Sequence, residues 1–274
     1  MFWVIQKMKS EYGYEKFIDT IIRMGVEHQL VKVVPFSNVL LPVTFNSFAD
    51  SVKDAKHIEI ETDKDIYVNG TFTLLKIAQE RKWAGVFIND NFDYNVWSKS
   101  FGLEHMLNSD VKVGMVKDML SVCADDWDEV FVRPVLDTKS LTGTVMSIDK
   151  FKAWQYAIED VVPTNYSPLH RETEILVAPV KKIYKEFRMF IVDGEYITGT
   201  QYKCGLDVRY SPIVDDGVIE YVKNMIQIWT PAKAFVLDIA STPYGYKVIE
   251  INNINTAGFY DANVGKLIEA IEVM

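Results

Sequence analysis

Cysteine is almost missing from this chain. Its 274 residues hold two, Cys123 and Cys204, far apart and in no paired motif, which removes the basis for a disulfide framework or a cysteine-built zinc site. The four histidines, His28, His57, His105 and His170, show no ligand spacing and read as surface or packing residues. No apolar run approaches the about 20 residues of a membrane span. The opening Met1-Phe2-Trp3-Val4-Ile5-Gln6-Lys7 lacks the charged start and long apolar stretch of a secretory signal, so it is expected to be a first strand and the chain cytoplasmic. Positive charge is also short. Lys and Arg number 29 against 38 acidic residues, for a net charge of −9, which disfavours a nucleic-acid-binding surface while leaving room for a local basic groove. Tandem repeats, low-complexity tracts and the glycine pattern of a dinucleotide fingerprint are all absent. So is any Ser/His/Asp or Cys/His arrangement, and no covalent nucleophile is expected.

What remains is a chain that is 49% hydrophobic and 24% charged, enough for a large packed core. Strand and helix signals alternate at first. Phe2–Ile5 is an apolar run, and Tyr14–Met24 places Phe17, Ile18, Ile21 and Ile22 on one helical face before Gly25. Leu30–Val34 and Asp65–Val68 read as strands, Phe72–Arg81 as a helix and Gly85–Ile88 as a buried strand. This βαβ rhythm predicts a small open parallel sheet. Residues 89–110 read as loop and short helix leading to a second domain. Beyond them antiparallel strand pairs dominate: Glu129–Val132, Gly143–Ile148, Glu174–Ala178, Phe187–Val192, Glu195–Thr200, Ala234–Ile239 and Tyr246–Ile251. Helices are expected at about 149–159, 215–229 and 263–272. The fold class is therefore mixed, α/β then α+β, divided as 1–110 and 111–274.

The most informative stretch runs from Val236-Leu237-Asp238 to Val248-Ile249-Glu250-Ile251-Asn252. Two apolar strands carry oxygen-bearing side chains, and Glu250 and Asn252, two apart, share a face. Folded as a hairpin through Ser241–Tyr246, they bring Asp238, Glu250 and Asn252 to one patch. Those are the hard oxygen ligands that Mg²⁺ prefers, with waters and phosphate oxygens completing its shell. Three further segments carry polar groups. Val132-Arg133-Pro134 runs into a small-residue loop holding Lys139, a pair of cations suited to phosphates, although an ordinary charged hairpin reads the same way. Glu174–Val180 is an apolar strand limited by Pro179. Lys185–Ile197 is a hairpin in which Glu186 and Arg188 share one face and Phe187, Met189 and Ile191 the other.

Taken in order, these segments resemble the ATP-grasp superfamily of carboxylate–amine ligases over about residues 110–274, with the earlier βαβ segment in the position of a pre-ATP-grasp domain. Arg133 and Lys139 look like the signature of a phage and bacterial clade. Ile175–Thr200 looks like the hinge and hairpin of ribosomal-protein glutamate ligases and glutathione synthetases. Asp238 followed by Glu-x-Asn is similar to the family's metal segment. The resemblance implies ATP and Mg²⁺ as cofactors. It gives Asp238, Glu250 and Asn252 to the metal, and Arg133 and Lys139 to the phosphates. Arg188 would face the γ-phosphate or acyl phosphate, the main chain of Ala178, Pro179, Val180 and Lys181 would meet the adenine, and Glu186 would orient Arg188 or reach the ribose. The implied reaction joins a carboxylate to an amine through an acyl phosphate, with a free amino acid, a peptide or a protein as candidate acceptor, no membrane partner, and the host cytoplasm as its place if the chain is phage-encoded. The chain departs from the family in three ways. Arg133 stands where many members carry Lys, Pro179 takes the place of an acidic hinge residue, and the loop after Asn252 is longer than the compact Asn-x-x-Pro-Gly form. Two other readings stand beside this one: an ATP-binding module without ligase activity, and a phage interaction protein whose acidic hairpin is only a solvated face.

Overall fold

The run Phe2-Trp3-Val4-Ile5 is apolar throughout because both of its faces are covered. In the computed structural model, which describes residues 1–8, 11–34, 37–43, 56–87, 93–121, 123, 127–136, 143–159 and 169–274, strand β1 spans Phe2–Gln6. Trp3 and Ile5 enter one core and Val4 another, the pattern of a strand buried on both sides. Strands β2 (His28–Val33) and β4 (Ile66–Asn69) pair with β1 in parallel, and β3 (Leu40–Pro42) adds antiparallel to β2, giving the order β3-β2-β1-β4. Helix α1 (Tyr14–Arg23) buries Phe17, Ile18 and Ile21 in the first core. Helix α2 (Phe72–Glu80) buries Leu74, Leu75, Ile77 and Ala78 in the second. The expected parallel sheet is there, with β3 as an unpredicted antiparallel edge.

The strand expected at Gly85–Ile88 does not form among the described residues; Ile88 lies outside them. Gly85 makes a single parallel bridge to Tyr67. The reason is Asn255, in the turn Ile254–Thr256. Its amide nitrogen donates to Val68 O at 2.8 Å and to Gly85 O at 3.0 Å, and its Oδ1 accepts from Phe87 N at 2.9 Å. One fully buried side chain thus satisfies backbone groups that a ladder would otherwise have paired. Asn255→Ala leaves those groups without partners and is expected to cost about 2–3 kcal/mol, read as a lower urea midpoint at unchanged slope.

A second sheet has the order β5-β8-β6-β7, antiparallel throughout, from β5 (Lys112–Met115), β6 (Glu129–Pro134), β7 (Thr144–Ser147) and β8 (Glu174–Pro179). Val130, Val132, Ile175 and Val177 pack with Phe151 of helix α4 (Ile148–Glu159), which follows α3 (Tyr94–Phe101) in the chain. The third sheet, β11-β10-β9-β12-β13, is built from β9 (Lys185–Val192), β10 (Glu195–Cys204), β11 (Asp207–Ser211), β12 (Ala234–Thr242) and β13 (Gly245–Asn253). Helix α5 (Asp216–Ile228) buries Val218, Val222 and Met225, and α6 (Val264–Glu272) buries Leu267, Ile268 and Ile271. Strands β5 and β11 were not expected. Both are mostly exposed edges whose side chains carry no burial period for a sequence to display.

The chain packs as two compact units. One comprises Met1–Asn89, Lys185–Ile239 and Glu250–Met274, and the other Asp90–Tyr184 and Ala240–Ile249. Among the described residues no helix is long and apolar enough to cross a membrane.

Candidate active site

Alternation along β12 sends Ala234 and Val236 into the first unit's core, and Asp238 is next in that row. It lies within the strand rather than at its end and is only 1% exposed. On the neighbouring β9 the same period places Phe190 in that core with Arg188 and Glu186 following it. The Arg188 guanidinium grips both oxygens of Asp238 with one edge, Nε donating to Oδ1 at 3.0 Å and Nη2 to Oδ2 at 2.8 Å. Glu250 and Asn252, on β13, are half-buried beside it. The Asn252 amide nitrogen donates to Asp238 Oδ2 at 3.3 Å and to Glu250 Oε1 at 3.0 Å. The structure therefore brings together the three groups that the sequence singled out. One amide nitrogen lies within 3.3 Å of both carboxylates, the point where a cation would meet them, and rotating the amide by half a turn aims Oδ1 there instead.

Electrostatics favour a cation at that point. Glu186 raises the local negative charge and is itself paired with Lys203 at 3.1 Å, so three carboxylates face two cations. Burial pushes the Asp238 carboxyl up to about 6 against the pull of Arg188, and Glu250 and Glu186 add to the rise. Burial works against the Arg188 charge, but the Asp238 carboxylate overcomes it and the guanidinium pKa is raised. Among the described residues no cluster of three His, Cys, Asp or Glu could hold a metal. The set here is two carboxylates and one amide, hard donors that suit Mg²⁺ with water and phosphate oxygens supplying the rest of its octahedron.

Arg188 was expected to face a phosphate, with Glu186 orienting it or reaching the ribose. The two bonds to Asp238 hold the guanidinium, and Gly258 O accepts from Nη1 at 3.4 Å. These three bonds use three of the five guanidinium N–H groups. The other two have no protein acceptor among the described residues and remain available to an anion. Aromatic rings hold the guanidinium from the side, Tyr260 at 4.9 Å and Tyr202 at 5.7 Å. A register shift between Gln201 and Lys203 lets two consecutive residues, Tyr202 and Lys203, both reach this region, a common use of a bulge beside a site. The rings continue as a stack, Tyr202 to Tyr260 at 5.5 Å, Tyr260 to Tyr210 at 5.1 Å and Tyr210 to Tyr12 at 4.0 Å. In the sequence Tyr202, Tyr210 and Tyr260 stand among aromatics that could serve a peptide acceptor or pack locally, and nothing singles out Tyr12. Their order in space, 202-260-210-12, leaves no trace in their spacing.

Tyr260 is held at φ 49°, a left-handed conformation uncommon for a side chain of its size. Gly13, at φ 85°, supports it, since a Cβ there would collide with the Tyr260 carbonyl oxygen. Gly13→Ala is expected to cost about 2 kcal/mol and to loosen the tyrosine stack, read by urea titration together with near-ultraviolet circular dichroism.

In the second unit Arg133 is 9% exposed, its Nε donates to Pro134 O at 3.3 Å, and its guanidinium lies 5.4 Å from the Trp97 ring. Lys139 lies outside the described residues. Ala178 and Pro179 end β8. Its β5 partner stops at Val177, while the β6 partner continues to Pro179, so from Ala178 onward one backbone edge has no strand beside it among the described residues. Val180 is exposed, and Lys181 forms an ion pair with Asp110.

A model of the ATP-grasp domain, family 2 of the R-2-K clade, matches residues 112–270. No curated protein matches the sequence. Solved structures with a similar fold include the D-cycloserine synthetase DcsG, at 8% identity and TM-score 0.63 over 100% of this chain and 99% of that one. The D-alanine-D-alanine ligase from Coxiella burnetii is similar at 11% identity and TM-score 0.64, over 99% and 93% of the two chains. So is the D-alanine-D-alanine ligase from Bacillus anthracis complexed with ATP, at 14% identity and TM-score 0.54 over 99% and 96%. At these identities the likeness is one of fold.

Proposed function

The chain belongs to the ATP-grasp domain family, in family 2 of the R-2-K clade, and from that premise we propose that it is an ATP- and Mg²⁺-dependent ligase joining a carboxylate to an amine through an acyl phosphate. The observation that carries this reading is the meeting of Asp238, Glu250 and Asn252 at one point beside a largely enclosed arginine with donors to spare. The synthetase and the two ligases that share the fold accord with it.

In this reading a substrate carboxylate oxygen bonds to the γ-phosphorus of ATP as the bond to the ADP oxygen breaks. An amine then attacks the acyl carbon, phosphate leaves, and the nitrogen gives up its proton. Bound Mg²⁺, held by Asp238, Glu250 and Asn252, would neutralise charge on the phosphate oxygens. Arg188, fixed by Asp238 and the tyrosine rings, turns its two remaining N–H groups to the transferring phosphoryl group. Preset donors of this kind cost no reorganisation during the reaction. We assign Arg133 and Lys139 to the phosphates and the main chain from Ala178 to Lys181 to the adenine, whose hydrogen-bonding edge suits a strand that has lost its neighbour. Residues 1–110 take the pre-ATP-grasp part and 111–274 the ATP-grasp part. A free amino acid, a peptide or a protein is the proposed acceptor.

The test is a screen for phosphate release with ATP, Mg²⁺ and pools of amino acids and peptides, read by mass spectrometry for new amides. A Mg²⁺-dependent thermal shift with ATP but no phosphate release from any pool would make the chain a nucleotide-binding module. No shift at all would leave an interaction protein. Within the ligase reading, Arg133→Lys exchanges a planar fork for a point charge and is expected to raise the KM for ATP roughly tenfold, the worth of one charge-assisted hydrogen bond. Initial rates against ATP concentration check this, and an unchanged KM would remove Arg133 from the phosphate site.

A further inference from the structure

A pocket of about 550 Å³ opens in the first unit between α1, β10 and the start of α6. Its size falls within the range of small-molecule sites. Lys16, Thr20 and Arg23, spaced by four and three residues, lie along one face of α1 and turn it toward the pocket. Lys266 lies on α6. Among the described residues no carboxylate lies within 4 Å of any of these three cations; the polar partner of the Arg23 guanidinium is Thr20 Oγ1 at 3.5 Å. Gathering like charges around a concavity is unfavourable in itself. It is also unforced here, since acidic residues outnumber basic ones 38 to 29 and exposed cations such as Lys64, Lys117 and Lys185 do find carboxylates, in Glu27, Glu172 and Asp215. One acid, Asp261, lies on the lining, and it accepts from the Tyr12 hydroxyl at 3.1 Å. Tyr196 and Ile219 give the pocket an apolar wall.

We propose that this pocket binds a small organic polyanion. Lys16, Arg23 and Lys266 take its carboxylate or phosphate groups, and Tyr196 and Ile219 cover its carbon body. Three cations against one carboxylate suit a ligand carrying two or three negative charges. This assignment does not depend on the ligase reading, because none of its residues belongs to the Asp238 site.

Isothermal titration of the full chain in low-salt buffer freed of divalent metal by passage over a chelating resin, using citrate and pyrophosphate as separate probes, tests it. Saturable binding of at least one probe is expected, citrate reporting a polycarboxylate preference and pyrophosphate a phosphate preference. In the double variant Lys16→Glu/Lys266→Glu the affinity should fall at least tenfold. Both side chains are exposed, so the variant should melt with the wild type. The control Glu15→Gln, exposed on α1 and outside the pocket lining, should bind as the wild type does. No saturable heat with either probe would overturn the proposal. So would affinity retained in the double variant, because it would place the anion elsewhere, the Arg188 site included.

Discussion

Asp238→Ala is expected to destabilise the fold by about 3–5 kcal/mol, the cost of stranding one partner of a buried ion pair. The Asp238 side chain is 2% exposed and that of Arg188 11%, so water does not restore what the guanidinium loses. Arg188 would keep Gly258 O and the faces of Tyr260 and Tyr202, none of which neutralises its charge. Urea unfolding followed by tryptophan fluorescence measures the loss. A second variant separates charge from packing. In Asp238→Ala/Arg188→Met the stranded charge is gone and an apolar chain of similar reach remains, so the double variant should be more stable than Asp238→Ala alone. A loss below about 1 kcal/mol in the single variant, or a double variant no better than it, would mean that the pair is not an electrostatic unit.

That pair also marks where the sequence stopped being readable. Asp238, Glu250 and Asn252 were legible because each interrupts an apolar strand, and the period of two put Glu250 and Asn252 on a shared face. The same period split Glu186 and Arg188 from Phe187 and Met189, and burial follows that split. Solvent, though, is not what the polar face meets. Arg188 finds Asp238 fifty residues away on an adjacent strand, and no local pattern encodes which strand will lie beside β9. The tyrosine stack is hidden for the same reason, since its members come from four separate chain segments. Most strands and helices were readable from burial period, whereas β5 and β11 have mostly exposed side chains and β3 is three residues long. Gly85 shows a different limit. Its apolar neighbours read as a strand, but the hydrogen bonds of that segment go to a side chain, Asn255, 170 positions later. The loop after Asn252 read as longer than the compact family form, and nothing in it said that Asn255 would serve as a substitute for a ladder.

Glu250→Ala separates function from fold in the opposite sense to Asp238→Ala. Glu250 is half-buried, beside the core rather than in it, and its negative charge contributes to the rise in the Asp238 carboxyl. Removing it relieves repulsion between Glu250 and Asp238 while giving up the hydrogen bond from Asn252. Without metal, stability is therefore expected to stay within about 1 kcal/mol of the wild type. With Mg²⁺ and ATP the proposed cation site loses one of its two carboxylates. Several kcal/mol of charge stabilisation in the transition state correspond to a fall of about a thousandfold or more in ATP-dependent phosphate release, and the thermal shift produced by Mg²⁺ with ATP should shrink with it. The two readouts must move together. Turnover at the wild-type rate would remove Glu250 from the metal site. Lost turnover with an intact Mg²⁺-dependent shift would move its role from holding the metal to the later acyl transfer. A fold weakened as much as by Asp238→Ala would make Glu250 a structural partner of Arg188 and Asn252 rather than a ligand.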